Sequence, residues 1–190
     1  MAGDGQYLAQ LREYYAKHQV LPSYAGVGEL VGLRSKASVS EMIQRLKAEG
    51  FLESAPDKRL RPGARFFDRP IADGVQAGRP TAVFDPVVDV VGIDRYLVPN
   101  PVCTVLIRVR GDSMINAGIR AGDVVVVEKR NTANVGQIVV AIVENEFTLK
   151  RLGREKNGFV LHPENKEFSI IRPTGPLELF GVVVGMFRKY

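Results

Sequence analysis

The spacing of apolar residues changes at about residue 72, and this change constrains the fold more than any other feature of the chain. Before it, apolar residues recur at helical spacing in three short segments. Beyond it, short apolar runs are separated by Gly, Asn and Pro, a pattern typical of antiparallel strands. A chain of 190 residues is long enough for two domains, since domains commonly hold about 100–150 residues. We therefore predict an α+β chain with helices and a hairpin first, then a mostly antiparallel β domain.

The segments before residue 72 predict three helices. Residues 7–18 form one apolar stripe at helical spacing. Ser23 precedes the second segment, where its hydroxyl can cap the free N–H groups of a first turn. In the third segment, Ser38 and Glu41 have the spacing of a capping box, and Gly50 marks the end of the helix.

A β-hairpin is predicted at residues 51–61, after the third helix. Two short helices joined by a tight turn and followed by a hairpin form a winged helix-turn-helix, whose second paired helix enters the DNA major groove. Small hydroxyls and cations at the start of that helix suit contacts with phosphates and base edges. The candidate DNA contacts are Arg34, Ser35, Lys36, Ala37, Ser38, Ser40 and Glu41 on the helix, and Lys58, Arg59 and Arg61 on the hairpin. A three-helix domain that binds protein is the alternative interpretation.

Positive charge is concentrated in and after the hairpin. The chain has a formal net charge of +5 and an isoelectric point near 9.4. Residues 58–69 hold several cations, opposed within that range by Asp68 alone. Such a run suits a polyanionic partner, although a solvated linker has the same composition.

Several features indicate a cytoplasmic protein without a cofactor. Cys103 is the single cysteine, so the chain forms no internal disulfide and fits a reducing compartment. We expect no membrane segment and no signal peptide, since the apolar runs are too short to span a bilayer. His18 and His162 lie far apart without Cys or acidic neighbours at ligand spacing, so we predict no metal site.

The β domain contains a serine and a lysine that could react together. Its predicted strands cover residues 102–110, 124–127, 138–143, 147–152, 159–161, 168–171 and 179–187. Ser113, in Gly111-Asp112-Ser113-Met114, follows the first of these strands, and Lys150 lies in the fourth among apolar neighbours. Serine paired with lysine is a known variant of the serine triad.

Lys150 must be neutral to take a proton from Ser113. The ordinary lysine pKa of about 10.4 leaves roughly one amine in 2,500 neutral at pH 7. Burial of Lys150 would lower that pKa, because desolvation disfavours the charged form. The backbone N–H groups of Asp112 and Ser113 could then stabilise the oxyanion formed when Ser113 attacks a peptide carbonyl.

A candidate substrate lies in the same chain. The segment Val75-Gln76-Ala77-Gly78-Arg79-Pro80 holds a bond between two small residues, Ala77 and Gly78. Small side chains fit a narrow site, and glycine lets the backbone approach closely. We accordingly assign residues 1–68 to a DNA-binding domain, 69–82 to a linker with the cleavage site, and 83–190 to a dimerisation and peptidase domain. An ordinary flexible linker is the alternative for the middle segment.

Four motifs together resemble the self-cleaving repressors of the LexA family. They are Gly111-Asp112-Ser113-Met114, Gly118-Ile119-Arg120-Ala121-Gly122-Asp123, Thr148-Leu149-Lys150-Arg151-Leu152 and Pro163-Glu164-Asn165. The resemblance implies a cytoplasmic homodimer that represses DNA-damage (SOS) genes by binding a palindromic operator in double-stranded DNA. It also implies that a RecA filament on single-stranded DNA stimulates cleavage between Ala77 and Gly78. In that family the residue at Ser113 is the nucleophile and the residue at Lys150 is the general base.

Three alternatives stay open at this point. The predicted reading helix differs from the best-known family members at Lys36, Ala37, Ser38 and Ser40, so the operator sequence stays open. A prophage-type or secondary repressor with another operator shares every motif above. An accessory subunit for error-prone, translesion DNA synthesis shares the β domain but carries only a short N-terminal arm. The last alternative is a plain DNA-binding protein whose Ser–Lys pair is inert.

Overall fold

Three helices and a β-hairpin make up the first part of the chain, in the element order of a winged helix-turn-helix. In the computed structural model, which describes residues 3–72 and 87–190, the helices are α1 (Asp4–His18), α2 (Tyr24–Val31) and α3 (Lys36–Ala48). Strands β1 (Leu52–Ser54) and β2 (Leu60–Pro62) follow and pair antiparallel. The predicted helices and hairpin are therefore confirmed.

The ends of two helices follow the predicted signals. Ser23 caps α2, since its hydroxyl oxygen accepts a hydrogen bond from the N–H of Gly26 at 3.2 Å. Beyond the last residue of α3, Gly50 has a φ of 79°, which glycine adopts without a steric penalty. The N–H of Phe51 reaches back to the carbonyl of Leu46 at 2.9 Å, and this bond closes the helix.

The predicted capping box of Ser38 and Glu41 is wrong, because α3 starts earlier. Gly32 ends α2 in the left-handed region with a φ of 74°, which leaves a short turn before the next helix. Ser35 is the N-cap of α3, and its carbonyl oxygen already accepts a bond from the N–H of Val39 at 3.1 Å. Ser38 and Glu41 consequently lie inside the helix.

One apolar core joins the three helices to the hairpin. Leu11, Val27 and Ile43, one from each helix, are fully buried. Phe66 follows the hairpin and packs edge-on against Tyr15, with ring centroids 5.5 Å apart. The core therefore depends on a side chain beyond β2, where the chain leaves the hairpin.

We expect Phe66→Ala to lower the free energy of unfolding of this part of the chain by about 3–5 kcal/mol, because it deletes a buried ring and leaves a cavity. Phe66 is 1% exposed, whereas the neighbouring Phe67 is 51% exposed. Phe67→Ala is therefore the matched control, with a smaller expected loss. Urea denaturation followed by circular dichroism measures both, and equal losses would contradict the placement of Phe66 in the core.

A small two-stranded sheet follows the hairpin. Strand β3 (Arg69–Ala72) pairs antiparallel with β4 (Val87–Val91), and Arg69 lies opposite Val91. The bond predicted to be cleaved, Ala77-Gly78, falls in the connection between these strands, outside the described residues.

The chain divides into two compact units, Met1–Ile93 and Asp94–Tyr190. The boundary falls after β4, because β4 pairs with β3 and so belongs to the first unit. The finer division into residues 1–68, 69–82 and 83–190 stays a prediction.

The second unit is built on a six-stranded antiparallel sheet. A short helix, α4 (Ile93–Leu97), precedes it. Within the described residues, no helix combines the length and apolar character needed to cross a bilayer. The strands are β5 (Thr104–Arg108), β6 (Val124–Glu128), β7 (Ile138–Val143), β8 (Glu146–Glu155), β9 (Gly158–His162) and β10 (Glu178–Phe187). They lie in the order β5-β6-β10-β7-β8-β9, so the α+β fold with a mostly antiparallel β domain is confirmed.

Two predicted strands differ from the structure. Strand β5 starts later than predicted, because Pro101–Cys103 form a 3-10 turn. The run at residues 168–171 is not a strand, since only Ile171 pairs, in an isolated bridge with Leu161. The chain turns there instead, and the N–H of Phe168 donates to the carbonyl of Asn165 at 3.2 Å.

Candidate functional site

The structure brings the predicted serine and lysine together. Ser113 lies in the turn that follows β5, and Lys150 lies within β8, 37 positions further along the chain. Lys150 Nζ is 2.8 Å from Ser113 Oγ. At this hydrogen-bond distance an unprotonated amine can take the proton of a hydroxyl.

Burial controls the charge of Lys150. The residue is 6% exposed, whereas lysine is almost never fully buried without a charged partner. Because burial disfavours the ammonium form, it lowers the pKa of Lys150 from its ordinary value. The sequence-based expectation of a desolvated lysine in this strand is confirmed.

Three oxygen atoms surround the amine of Lys150. Besides Ser113 Oγ, Nζ lies 3.1 Å from Thr148 Oγ1 and 3.0 Å from the carbonyl oxygen of Leu149. A neutral amine has two N–H groups and one lone pair. It can therefore donate to Thr148 and Leu149 while its lone pair accepts the hydroxyl proton of Ser113.

A neighbouring segment holds the turn that carries Ser113. The N–H of Glu164 donates to the carbonyl oxygen of Ser113 at 2.8 Å, and the side-chain amide of Asn165 donates to the carbonyl oxygen of Asp112 at 3.1 Å. Met114, 1% exposed, anchors the same turn in the core. The family resemblance includes the motif Pro163-Glu164-Asn165, but the sequence predicts no role for these residues or for Thr148. Contacts between distant segments leave no local pattern from which such roles could be read.

The backbone around Ser113 offers hydrogen-bond donors. Within the described part of the chain, the N–H groups of Asp112 and Ser113 donate to no other group. Gly111, with a φ of 74°, turns the chain just before them. Free N–H groups beside a nucleophile are the kind of donor that stabilises a tetrahedral oxyanion.

An apolar groove adjoins the Ser–Lys pair. Residues 107–110 and 147–149 line it, together with Val125 and Val140. Thr148 links the groove to the pair, since it lines the groove and also contacts the Lys150 amine. An extended segment with small side chains could therefore lie next to the serine.

The start of α3 presents a polar surface, separate from the Ser–Lys pair. Ser35 caps the helix without a side-chain hydrogen bond, so its hydroxyl leaves the first-turn N–H groups free to meet a phosphate. Val39 is buried in the core and directs the opposite face of the helix outward. Among the predicted contacts at the start of α3, Ser38 is half-buried. The others are exposed: Arg34, Ser35, Lys36, Ala37, Ser40 and Glu41.

The cations of the hairpin are partly engaged with neighbouring carboxylates. Arg61 pairs with Glu53 at 2.7 Å, and Arg59 pairs with Asp57 at 3.5 Å. Lys58 is exposed at the turn. Exposed ion pairs contribute only about 0–1 kcal/mol, so these arginines can exchange their carboxylate partners for phosphates at little cost.

The sequence aligns with known proteins along nearly its whole length. The profile of the family described as Peptidase S24-like matches residues 70–184. The LexA repressor of Syntrophotalea carbinolica is 38% identical over 192 aligned residues, which cover 95% of this chain and 94% of that protein. The LexA repressor of Acetivibrio thermocellus is 31% identical, with 94% and 92% covered. That of Clostridium botulinum is 35% identical, with 89% and 87% covered.

Proposed function

The chain belongs to the LexA repressor family, whose C-terminal part is an S24-like peptidase, and we propose that it represses DNA-damage genes until it cleaves its own backbone between Ala77 and Gly78. It is thus a LexA-type repressor and a serine peptidase of the self-cleaving kind. The observation that carries the proposal is the 2.8 Å contact between Lys150 Nζ and Ser113 Oγ. The low exposure of that amine supports the same role.

In the proposed reaction, neutral Lys150 takes the hydroxyl proton of Ser113 while Oγ attacks the carbonyl carbon of Ala77. The N–H groups of Asp112 and Ser113 stabilise the oxyanion. The C–N bond to Gly78 then breaks, and the Lys150 ammonium returns its proton to the departing amine. Water, activated by the same lysine, hydrolyses the ester left on Ser113, which regenerates both side chains.

Cleavage would end repression without altering a DNA contact. We propose that two copies of the chain associate through the C-terminal unit and that each places its α3 in the major groove of one half-site. Linked DNA-binding units gain affinity from their high effective concentration, and severed units lose that gain. The polar start of α3 and the exposed hairpin cations support this assignment.

A RecA filament on single-stranded DNA is the proposed stimulus. A ligand shifts an equilibrium toward the conformation that it binds better. The filament would therefore favour the conformation in which the Ala77-Gly78 segment reaches Ser113. The N-terminal helices, and relatives that align over 89–95% of the chain, favour a repressor over an accessory subunit for DNA synthesis.

Incubating the purified full-length chain with RecA, a nucleotide and single-stranded DNA tests the proposal. We expect two fragments whose masses correspond to residues 1–77 and 78–190, and a loss of operator binding as they form. Because nucleophile and substrate share one chain, the rate should not depend on the concentration of the chain. Omitting the single-stranded DNA is the control. A rate that rises with protein concentration would show cleavage between molecules instead.

A further inference from the structure

Strand β8 reaches the Ser113 turn through two adjacent residues. Lys150 contacts the Ser113 side chain. Next to it, Arg151 Nε donates to a carboxylate oxygen of Glu164 at 2.5 Å. Glu164 in turn holds the backbone of the same turn, so one strand touches both the reacting hydroxyl and the segment that supports it.

The backbone of Glu164 makes two bonds to the Ser113 turn. Its N–H donates to the carbonyl oxygen of Ser113, and its carbonyl oxygen accepts from the N–H of Asn116, both at 2.8 Å. Together these bonds fix the turn on either side of Met114. The position of Ser113 Oγ relative to the amine therefore depends on where residue 164 lies.

Arg151 is itself fixed at a second point. Its NH1 group donates to the carbonyl oxygen of Gly136 at 2.6 Å, while Nε holds Glu164. The guanidinium is planar and rigid, so these two bonds define the place of the Glu164 carboxylate relative to β8. Lys150 is the neighbour of Arg151 in β8, so the Glu164 carboxylate is positioned relative to Lys150 as well.

From this geometry, and resting on the proposed function, we propose that the Arg151–Glu164 pair is a positioning device that holds the Ser113 turn at attack distance from Lys150. The side chains of Arg151 and Glu164 are 37% and 28% exposed, and partly exposed ion pairs contribute little to stability. The Arg151–Glu164 pair therefore acts by fixing the position of the Ser113 turn. A displacement of about 1 Å at a reacting group can slow a reaction roughly 100-fold.

Glu164→Ala is the test, measured on the full-length chain by self-cleavage at alkaline pH and by labelling of Ser113 with a small organophosphorus reagent. We expect both rates to fall roughly 10- to 100-fold, with little change in melting temperature. The plateau of the pH profile should fall while its midpoint stays in place, because Lys150 stays buried. Glu164→Gln keeps an acceptor for Arg151 Nε, so its rates should stay within about threefold of the parent.

The matched control is Glu155→Ala. Glu155, also in β8, pairs with Arg172 at 2.8 Å, and neither residue contacts the Ser113 turn. Arg151→Ala removes the proposed contact from its other end and should reproduce the effect of Glu164→Ala even if that variant folds poorly.

Three results would overturn the proposal. These are rates in Glu164→Ala equal to those of Glu155→Ala, rates in Glu164→Gln as low as in Glu164→Ala, or a normal rate in Arg151→Ala. A parent chain that is neither cleaved nor labelled would instead remove the proposed function of Ser113 itself.

Discussion

Ser113→Ala should abolish self-cleavage, with a fall in rate of roughly 10⁴-fold or more, because loss of the nucleophile leaves only binding and oxyanion stabilisation. The substitution removes one oxygen atom in a half-buried turn of the C-terminal unit. The surface of α3 is untouched, so operator binding should equal that of the parent. Fragment mass over time, at alkaline pH and with the RecA filament, measures the first effect. A DNA titration measures the second.

Ser169→Ala is the matched control for this experiment, since Ser169 is exposed and lies outside the Ser113 turn. It makes the same chemical change and should cleave at the parental rate. Fragments that persist in Ser113→Ala would reveal a contaminating protease or another nucleophile. Equal rates in both variants would contradict the assignment of Ser113 as the nucleophile.

Lys150→Met should also stop cleavage, and it should not destabilise the fold. Methionine has a length close to that of lysine but carries no basic nitrogen, so Ser113 loses the group that takes its proton. Lys156, exposed in the turn between β8 and β9, provides the control Lys156→Met. Cleavage at the parental rate in Lys150→Met would exclude Lys150 as the base.

The lowered pKa of Lys150 also sets the pH dependence of both rate and stability. Below that pKa the neutral fraction rises about tenfold per pH unit. Cleavage of the parent chain should therefore accelerate with pH and level off below the pH at which an exposed lysine titrates. A rate that stays flat from neutral pH to about pH 10 would contradict this.

The lowered pKa of Lys150 also makes the stability of the fold depend on pH. Between the lowered pKa of the folded state and the ordinary pKa of the unfolded state, the unfolded chain binds more protons, so stability rises with pH. At neutral pH the parent therefore carries a destabilising contribution from Lys150. Lys150→Met removes this contribution, and its free energy of unfolding at pH 7 should equal or exceed that of the parent. Urea denaturation of both chains measures the difference.

The sequence predicted the reacting pair because each member has a local signature. Ser113 follows a strand beside a glycine, and Lys150 stands among apolar residues of another strand. Their meeting at 2.8 Å depends on the order of strands that places β5 and β8 in one sheet. The resemblance to a family implied that the two residues react together, and periodicity did not. Fold class followed from the change in periodicity at about residue 72.

Other features depend on contacts that no short pattern records. The capping box of Ser38 and Glu41 matched the local rule, but the turn after Gly32 starts the helix at Lys36. Residues 168–171 have a strand-like composition, yet the turn after Asn165 leaves only Ile171 in a bridge. The support that Glu164 gives to Ser113 joins segments far apart in the sequence, and only the folded chain reveals it.

The pairing of β3 with β4 would hold the two fragments together after the proposed scission. A break between Ala77 and Gly78 leaves β3 on one fragment and β4 on the other, with three residue pairs in continuous register and a fourth beyond a shift after Ile71. Backbone hydrogen bonds do not require covalent continuity, so the two fragments of one chain would stay together for as long as this ladder holds. Two strands alone are marginally stable in water, and once parted they meet again only by diffusion. The proposed loss of operator affinity would therefore follow scission once these two strands have separated.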